Sequence, residues 1–260
     1  MADLADATAD TLLDGRVRLY QPRRGYRVAL DPVLLAAAVP ARPGDRVLDV
    51  GSGTGAAGLC LAARVPGIVL TGIERDEAAL ALARRSAAAN GVAADWIEGD
   101  VLAPSADLRT RQFDHVLSNP PYRSAERSRA SGDPARVAAH VIDDAGFEAW
   151  LAFCAARVSG RGSLSLVLPA GELGRAAAVL EARLAGLRVF PLWPRDGTEA
   201  RRVLLRARRG RRSPSRLLPG LVLHRPDGGY TEAAEDVLRR GAALDLGDRP
   251  GPIDRKARLP

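Results

Sequence analysis

A nearly continuous apolar run, Arg46-Val47-Leu48-Asp49-Val50, passes through Gly51-Ser52-Gly53-Thr54-Gly55 directly into an Ala- and Leu-rich stretch from Ala56 to Arg64. A strand that turns this tightly into a helix opens a strand–helix–strand unit, and its apolar character suits a parallel strand covered on both faces. The pattern then repeats. A second strand, Gly67 to Ile73, is closed by Glu74; Asp76 caps a long helix to Ala89, and Asn90-Gly91 supplies its left-handed stop. A third strand, Asp95 to Glu98, ends at Gly99-Asp100, and a fourth, Phe113 to Leu117, ends in Ser118-Asn119-Pro120-Pro121-Tyr122. Strands and helices alternating at these intervals predict a doubly wound α/β sheet, which binds ligands at the carboxyl ends of its strands. Gly51 to Gly55, Glu74, Asp100 and Asn119 to Tyr122 all fall at such ends.

The flanks are less regular. Residues 1 to 15 read as frayed, and Gly15 to Gln21 alternates like a short strand. Asp31-Pro32 reads as an N-cap followed by proline at the first helical position, opening a helix through Ala38. Beyond the fourth strand, Ala145 to Val158 and Gly174 to Leu184 read as helices; Gly162 to Leu168, Leu187 to Leu192 and Val203 to Ala207 read as strands. Asp227-Gly228-Gly229 makes a hairpin turn, and Thr231 opens a last short helix. His115 reads as strand filler and His140 as a solvated loop residue.

Each motif has its own chemistry. Glycines at 51, 53 and 55 let the backbone approach a ligand closely, while the following helix offers free N–H groups. Such a turn also forms without a ligand, so the other motifs decide. Glu74 lies where an acid can take both hydroxyls of a ribose, and Asp100 can accept from an adenine amino group. Together these describe a nucleoside-containing cofactor lying across the first three strands. Gly51-x-Gly53-x-x-Ala56 nominally fits a dinucleotide fingerprint. Asp49, two residues before the first glycine, would repel a pyrophosphate and instead suits a cofactor carrying an ammonium or sulfonium, which points to S-adenosylmethionine. Asn119, with two consecutive prolines and an aromatic, makes a rigid, acceptor-rich cup for a planar amino group, because proline fixes φ and removes N–H donors.

The motifs Asp49 to Gly55, Glu74, Gly99-Asp100-Val101 and Asn119-Pro120-Pro121-Tyr122 resemble, in order, those of class I S-adenosylmethionine methyltransferases of the Asn-Pro-Pro-Tyr amino-methylating type. Gly25-Tyr26-Arg27, Leu30 to Leu35, Pro191-Leu192-Trp193-Pro194 and Arg201 to Leu204 are similar to the bacterial tRNA(Val) adenine-N(6)-methyltransferase family, from about Leu13 to about Ala243. The resemblance implies a doubly wound, mostly parallel, seven-stranded Rossmann-like methyltransferase sheet with short N- and C-terminal extensions. The expected division is a lead and helix over 1–40, the methyltransferase domain over 41–210, an extension over 211–246 and a disordered tail over 247–260.

The resemblance implies S-adenosylmethionine as cofactor, S-adenosylhomocysteine as product and no metal. Cofactor contacts are expected from Asp31, Asp49, Gly51, Ser52, Gly53, Gly55, Glu74, Arg75, Asp100, Val101 and Asn119. Asn119, Pro120, Pro121 and Tyr122 form the catalytic cup. The substrate implied is the 6-amino group of the adenine next to the anticodon of valine tRNA. A release-factor glutamine, an rRNA base and a non-catalytic RNA-binding module are the alternatives. The glutamine enzymes share the cup but carry a separate helical N-terminal domain, which the short lead before Asp49 counts against.

Charge bears on that choice. The 260 residues carry a net charge of +7, nearly all of its basic side chains being Arg with Lys256 the single lysine, and only 4% are aromatic. The balance fits a polyanionic partner, or a drift toward Ala and Arg. Arg123 and Arg127 follow the cup, where related enzymes often place another aromatic, and a guanidinium also stacks on a base. Arg202, Arg208, Arg209, Arg211 and Arg212 belong to a run from Arg201 to Arg216 that contains no acid. That run either tracks a phosphate backbone or protects an edge strand. Cys60 and Cys154 read as buried thiols in a reducing compartment. Acids stand at the N-terminus where a signal peptide needs basic residues, and no segment is long and apolar enough to span a bilayer. A cytoplasmic monomer or weak homodimer acting on tRNA is expected.

Overall fold

The computed structural model describes residues 7–23, 27–121, 143–210 and 213–247. Strands β1 (Ala7–Leu12) and β2 (Val17–Pro22) form an antiparallel hairpin. Within the stretch expected to be frayed, residues 7–12 are therefore paired, while residues 1–6 lie outside the described residues. Leu13, Asp14 and Gly15 turn the chain at φ values of 52°, 55° and 85°. Helix α1 (Asp31–Ala38) follows, with Pro32 to Ala38 all buried, as expected of a helix apolar on every side. Its N-cap is Leu30, without a side-chain cap. Asp31 lies inside the first turn and pairs with Arg202 (Nε to Oδ2, 3.1 Å) instead of capping the helix.

The expected alternation comes next: β3 (Arg46–Val50), α2 (Ala56–Arg64), β4 (Val69–Glu74), α3 (Glu77–Ala89), β5 (Ala94–Glu98), a short α4 (Ala106–Thr110) and β6 (Phe113–Ser118). Asp76 caps α3 by accepting from the Ala78 and Ala79 amides. Helix α5 (Asp144–Arg157), β7 (Val158–Pro169), α6 (Leu173–Glu181), β8 (Ala185–Arg195), β9 (Arg202–Arg208), β10 (Arg216–Leu217), β11 (Leu221–His224) and α7 (Glu232–Leu238) complete the chain.

The main sheet runs β10-β8-β9-β7-β6-β3-β4-β5, with β11 also on β8. Seven strands form the expected body, and two short pieces add to β8 in parallel, making nine. Only β9 runs against its neighbours, pairing antiparallel with both β7 and β8. Because β9 is internal, Arg202 to Arg208 do not protect an edge strand; Arg216, the last residue of the run, begins β10 at the sheet's end. Arg206, in the middle of β9, is 2% exposed and donates to Ala38 O at the end of α1. Arg64 serves the same helix end, donating to Ala36 O and Val39 O; arginines thus satisfy carbonyls that a helix leaves open.

Apolar cores lie on both faces. One joins α1, α2, α3, the hairpin and α7; the other joins α5, α6 and the opposite faces of β3, β6 and β7. Both cysteines are free and buried, and burial pushes the Cys60 thiol up to about 12. His115 is more than filler: its ring nitrogens meet Ser163 Oγ at 2.8 Å and Asp45 Oδ2 at 3.2 Å. No described helix is long and apolar enough to cross a membrane.

Candidate active site

The carboxyl ends of β3, β4, β5 and β6 meet at one edge of the sheet. β3 stands between β4 and β6, with Val50 in register with Ile73 on one side and Ser118 on the other. Neighbouring strands lie about 4.8 Å apart. The next residues on β3 and β6, Gly51 and Asn119, therefore leave the sheet side by side.

The loop after β3 is built on left-handed backbone, with Gly51 at φ 69° and Gly55 at φ 84°, a conformation that disfavours residues with a Cβ. Both positions also face an indole. A Cβ on Gly51 would lie 2.7 Å from Trp150 Cζ2, and one on Gly55 would lie 2.7 Å from Trp96 Cη2. Gly51 and Ser52 donate their amides to Ile73 O at 2.9 and 3.0 Å.

Glu74 ties down the rest of the loop. Its Oε2 accepts from the Gly53 amide at 2.9 Å, while Oε1 accepts from Arg75 and Asp76 N at 2.8 and 3.0 Å. A carboxylate has about four acceptor positions, so one remains for a ligand hydroxyl. Asp49 lies beneath the loop, 2% exposed, with Oδ2 accepting from the Gly58 amide of α2 at 2.9 Å. Burial pushes its carboxyl up to about 7, opposed by the Gly58 amide and assisted by the Glu74 charge. Asp100 is exposed; its Oδ1 accepts from Leu102 N at 2.9 Å, and Val101 beside it is buried.

Several polar atoms converge here with no hydrogen-bond partner among the described residues: Ser52 Oγ and Thr54 Oγ1 in the loop, Trp96 Nε1 beneath it and Asn119 Oδ1 across from it, all buried. Buried polar atoms are ordinarily satisfied, so a cluster of open ones fits a site completed by a polar ligand. These atoms, the open space over Gly53 and the Glu74 carboxylate suit a nucleoside-bearing cofactor. Pro120 is buried and Pro121 half-buried.

The other candidates divide. Asp31 pairs with Arg202, at the start of antiparallel β9 and hence at the site's end of the sheet. Arg75 is exposed beside Glu74. Arg208 and Arg209 stand at the opposite end, lining a cavity of about 580 Å³ with Arg161, Arg188 and Arg206; Arg209 donates to Ala155 O at 2.7 Å. Tyr122, Arg123, Arg127, Arg211 and Arg212 lie outside the described residues, as do His140, Gly25 and Tyr26. Sequence reasoning passed over Trp96 and Trp150 as site components, although the scarcity of aromatics marks both.

A doubly wound sheet with a glycine loop after its central strand, an acid after the next and an Asn-Pro-Pro cup beside the loop defines a class I S-adenosylmethionine-dependent methyltransferase. Residues 30–146 match the methyltransferase small domain family. A solved structure of a predicted O-methyltransferase from Agrobacterium tumefaciens superposes with a TM-score of 0.68 at 29% identity, covering 82% of this chain and 98% of that one. The tRNA1(Val) (adenine(37)-N6)-methyltransferase of Aeromonas hydrophila is 33% identical over 215 residues, 81% of this chain and 87% of that protein. The release factor glutamine methyltransferase of Deinococcus radiodurans is 42% identical over only 89 residues, 34% of this chain and 30% of that protein. The chain belongs to the tRNA1(Val) (adenine(37)-N6)-methyltransferase family.

Proposed function

We propose that this enzyme methylates the exocyclic 6-amino group of an adenine in tRNA, the adenine next to the anticodon of valine tRNA. The observation that carries the reading is Asn119 Oδ1, a buried acceptor with no partner among the described residues, set beside the glycine loop. Similarity over most of both chains to the Aeromonas hydrophila enzyme supports the substrate, and the net charge of +7 suits a polyanion. A tRNA substrate implies work in the cytoplasm.

S-adenosylmethionine, when bound, supplies a methyl group on a sulfonium sulfur and leaves as S-adenosylhomocysteine. Gly51, Ser52, Gly53 and Gly55 form its cradle, with Thr54 Oγ1 and Ser52 Oγ as open polar contacts. Glu74 offers its remaining acceptor position to the ribose, and Asp100 and Val101 flank the adenine. Asp49 holds the first turn of α2 through the Gly58 amide, and Arg75 and Asp31 border the site.

An adenine amino group is a poor nucleophile because its lone pair is delocalised into the ring. Asn119 Oδ1 and the Pro120 carbonyl each accept one of its N–H bonds. Held this way, the nitrogen turns its lone pair toward the methyl group as it becomes tetrahedral, and the proton it sheds after the transfer passes to water. Pro120 and Pro121 fix the carbonyl direction through their locked φ; the motif assigns stacking on the base to Tyr122, and its flanking charge assigns nucleic-acid contacts to Arg123 and Arg127. The gain comes from orientation and from hydrogen bonds that strengthen in the transition state, and these roles need no metal.

The test is incubation with methyl-labelled S-adenosylmethionine and either total tRNA or a purified release factor, followed by nucleoside and amino-acid analysis. Label in N6-methyladenosine is expected. Label in methylglutamine, or in another nucleoside alone, overturns the reading.

A further inference from the structure

We infer that Trp150, acting through Ser118, is a positioning residue that fixes the donor loop and the acceptor cup to one another. The inference rests on the methyltransferase reading above and adds a device that the cofactor and substrate motifs do not contain. Methyl transfer in line needs the group held by the glycine loop and the amine held by Asn119 to meet in a narrow geometry. Those two elements hang from different strands, β3 and β6.

The paired register of β3 and β6 ends at Val50 and Ser118, and Pro120 and Pro121 have no N–H with which to extend it. A side chain takes over at that point. Ser118, fully buried, donates its hydroxyl to Val50 O at 2.7 Å, immediately before Gly51. The same oxygen accepts from Trp150 Nε1 at 3.0 Å. The Trp150 ring then passes beneath Gly51, where a Cβ would lie 2.7 Å from Cζ2 and 2.9 Å from Cη2. One side chain of α5 thus supports the donor loop by contact and orients the hydroxyl that joins β6 to it. Cys154, one turn further along α5, lies against the same hydroxyl. A relay of N–H to O–H to carbonyl in a dry interior is cooperative and rigid.

The cofactor loop also keeps its ties to Ile73 O and Glu74, which do not involve Ser118. Losing the relay should therefore loosen alignment more than cofactor binding. A shift of about 1 Å at reacting atoms costs on the order of 100-fold in rate.

Ser118→Ala removes both hydrogen bonds and leaves the strand pairing. Trp150→Phe removes the N–H together with the Cζ2 and Cη2 atoms that lie against Gly51, and leaves the Ser118 bond to Val50 O in place. Each variant is compared with wild type in kcat, KM for the amine substrate, S-adenosylhomocysteine affinity by calorimetry, and Tm. For Ser118→Ala a kcat loss of about 10- to 100-fold is expected, with KM and cofactor affinity within about threefold of wild type; Trp150→Phe shifts in the same direction by less. A kcat within twofold of wild type in Ser118→Ala overturns the inference. So does a parallel loss of kcat and cofactor affinity, which makes the relay plain scaffolding. The assays use tRNA and a release factor side by side. A wild type active only on the protein overturns the adenine reading, while the variant-to-wild-type ratio on that substrate still decides the role of Trp150.

Discussion

The indole of Trp96 fills the space that a side chain at Gly72 would occupy: a Cβ there would lie 2.3 Å from Cζ3 and 2.4 Å from Cε3. Gly72 sits mid-strand in β4, opposite Trp96 on β5, so the ring lies flat on backbone and reaches across to Gly55 in the cofactor loop. A glycine inside a strand costs conformational entropy and marks a close approach; here the approach is what carries the ring under the loop.

Gly72→Ala should therefore destabilise the fold by about 1–3 kcal/mol through overpacking, because β4 is held between β3 and β5 and the indole lies directly over the added methyl. Trp96→Leu in the same chain should recover part of that loss, and a double-mutant cycle in urea measures the coupling. Additive effects would show that the indole moves aside freely.

Asn119→Ala should lower kcat by about 100- to 1000-fold, the range seen when one preorganised hydrogen-bonding group is removed from a transition state. Affinity for S-adenosylhomocysteine should change little, since the loop's ties run to β4 and not to Asn119. Single-turnover rates and calorimetry separate the two. Loss of cofactor binding with normal folding would move Asn119 from the acceptor side to the donor side.

Glu74→Gln tests the loop tie. Glu74 accepts three backbone amides, with Gly53 on one oxygen and Arg75 and Asp76 on the other. A glutamine has one carbonyl oxygen and two N–H donors, so one side must turn a donor toward a donor. Cofactor affinity should fall by about tenfold, in line with the ~1.5 kcal/mol of a hydrogen bond to a charged group lost at the part-buried Gly53 amide, as read by calorimetry. An unchanged affinity would detach the loop's conformation from Glu74.

What the sequence disclosed follows from locality. The β3 to β6 series and the glycine loop were legible because burial on both faces leaves continuous apolar runs, and because glycine, Asp76 and Asn90-Gly91 punctuate them. Strand β1 was not, since Ala7–Leu12 alternates only weakly in size and polarity. The sequence left open whether the arginine run lies at an edge, because the insertion of β9 between β7 and β8 is a non-local choice. Asp49 illustrates the same limit inside the site. The Gly58 amide from which its carboxylate accepts a hydrogen bond belongs to the following helix, a contact that no local pattern announces. Ser118 and Trp150 are 32 positions apart, and no periodic pattern links a strand serine to a helix indole.

Asp49 also gives the protein a pH signature. Its ordinary value of 3.8 rises to about 7 in the folded chain, chiefly by burial. Between those values the unfolded chain has lost the proton that the folded chain keeps, so unfolding releases a proton and stability falls as pH rises. The contribution is fully present below about pH 4 and is lost by the time pH passes about 7, a change on the order of 4 kcal/mol. Asp49→Asn keeps an oxygen for the Gly58 amide and removes the ionisation. Urea unfolding of both proteins from pH 4.5 to 8 should show the wild type losing stability relative to the variant across the window, with parallel curves above it. Curves parallel throughout would mean that the Asp49 carboxylate is ionised in the folded protein over the whole range, with the Gly58 amide outweighing burial.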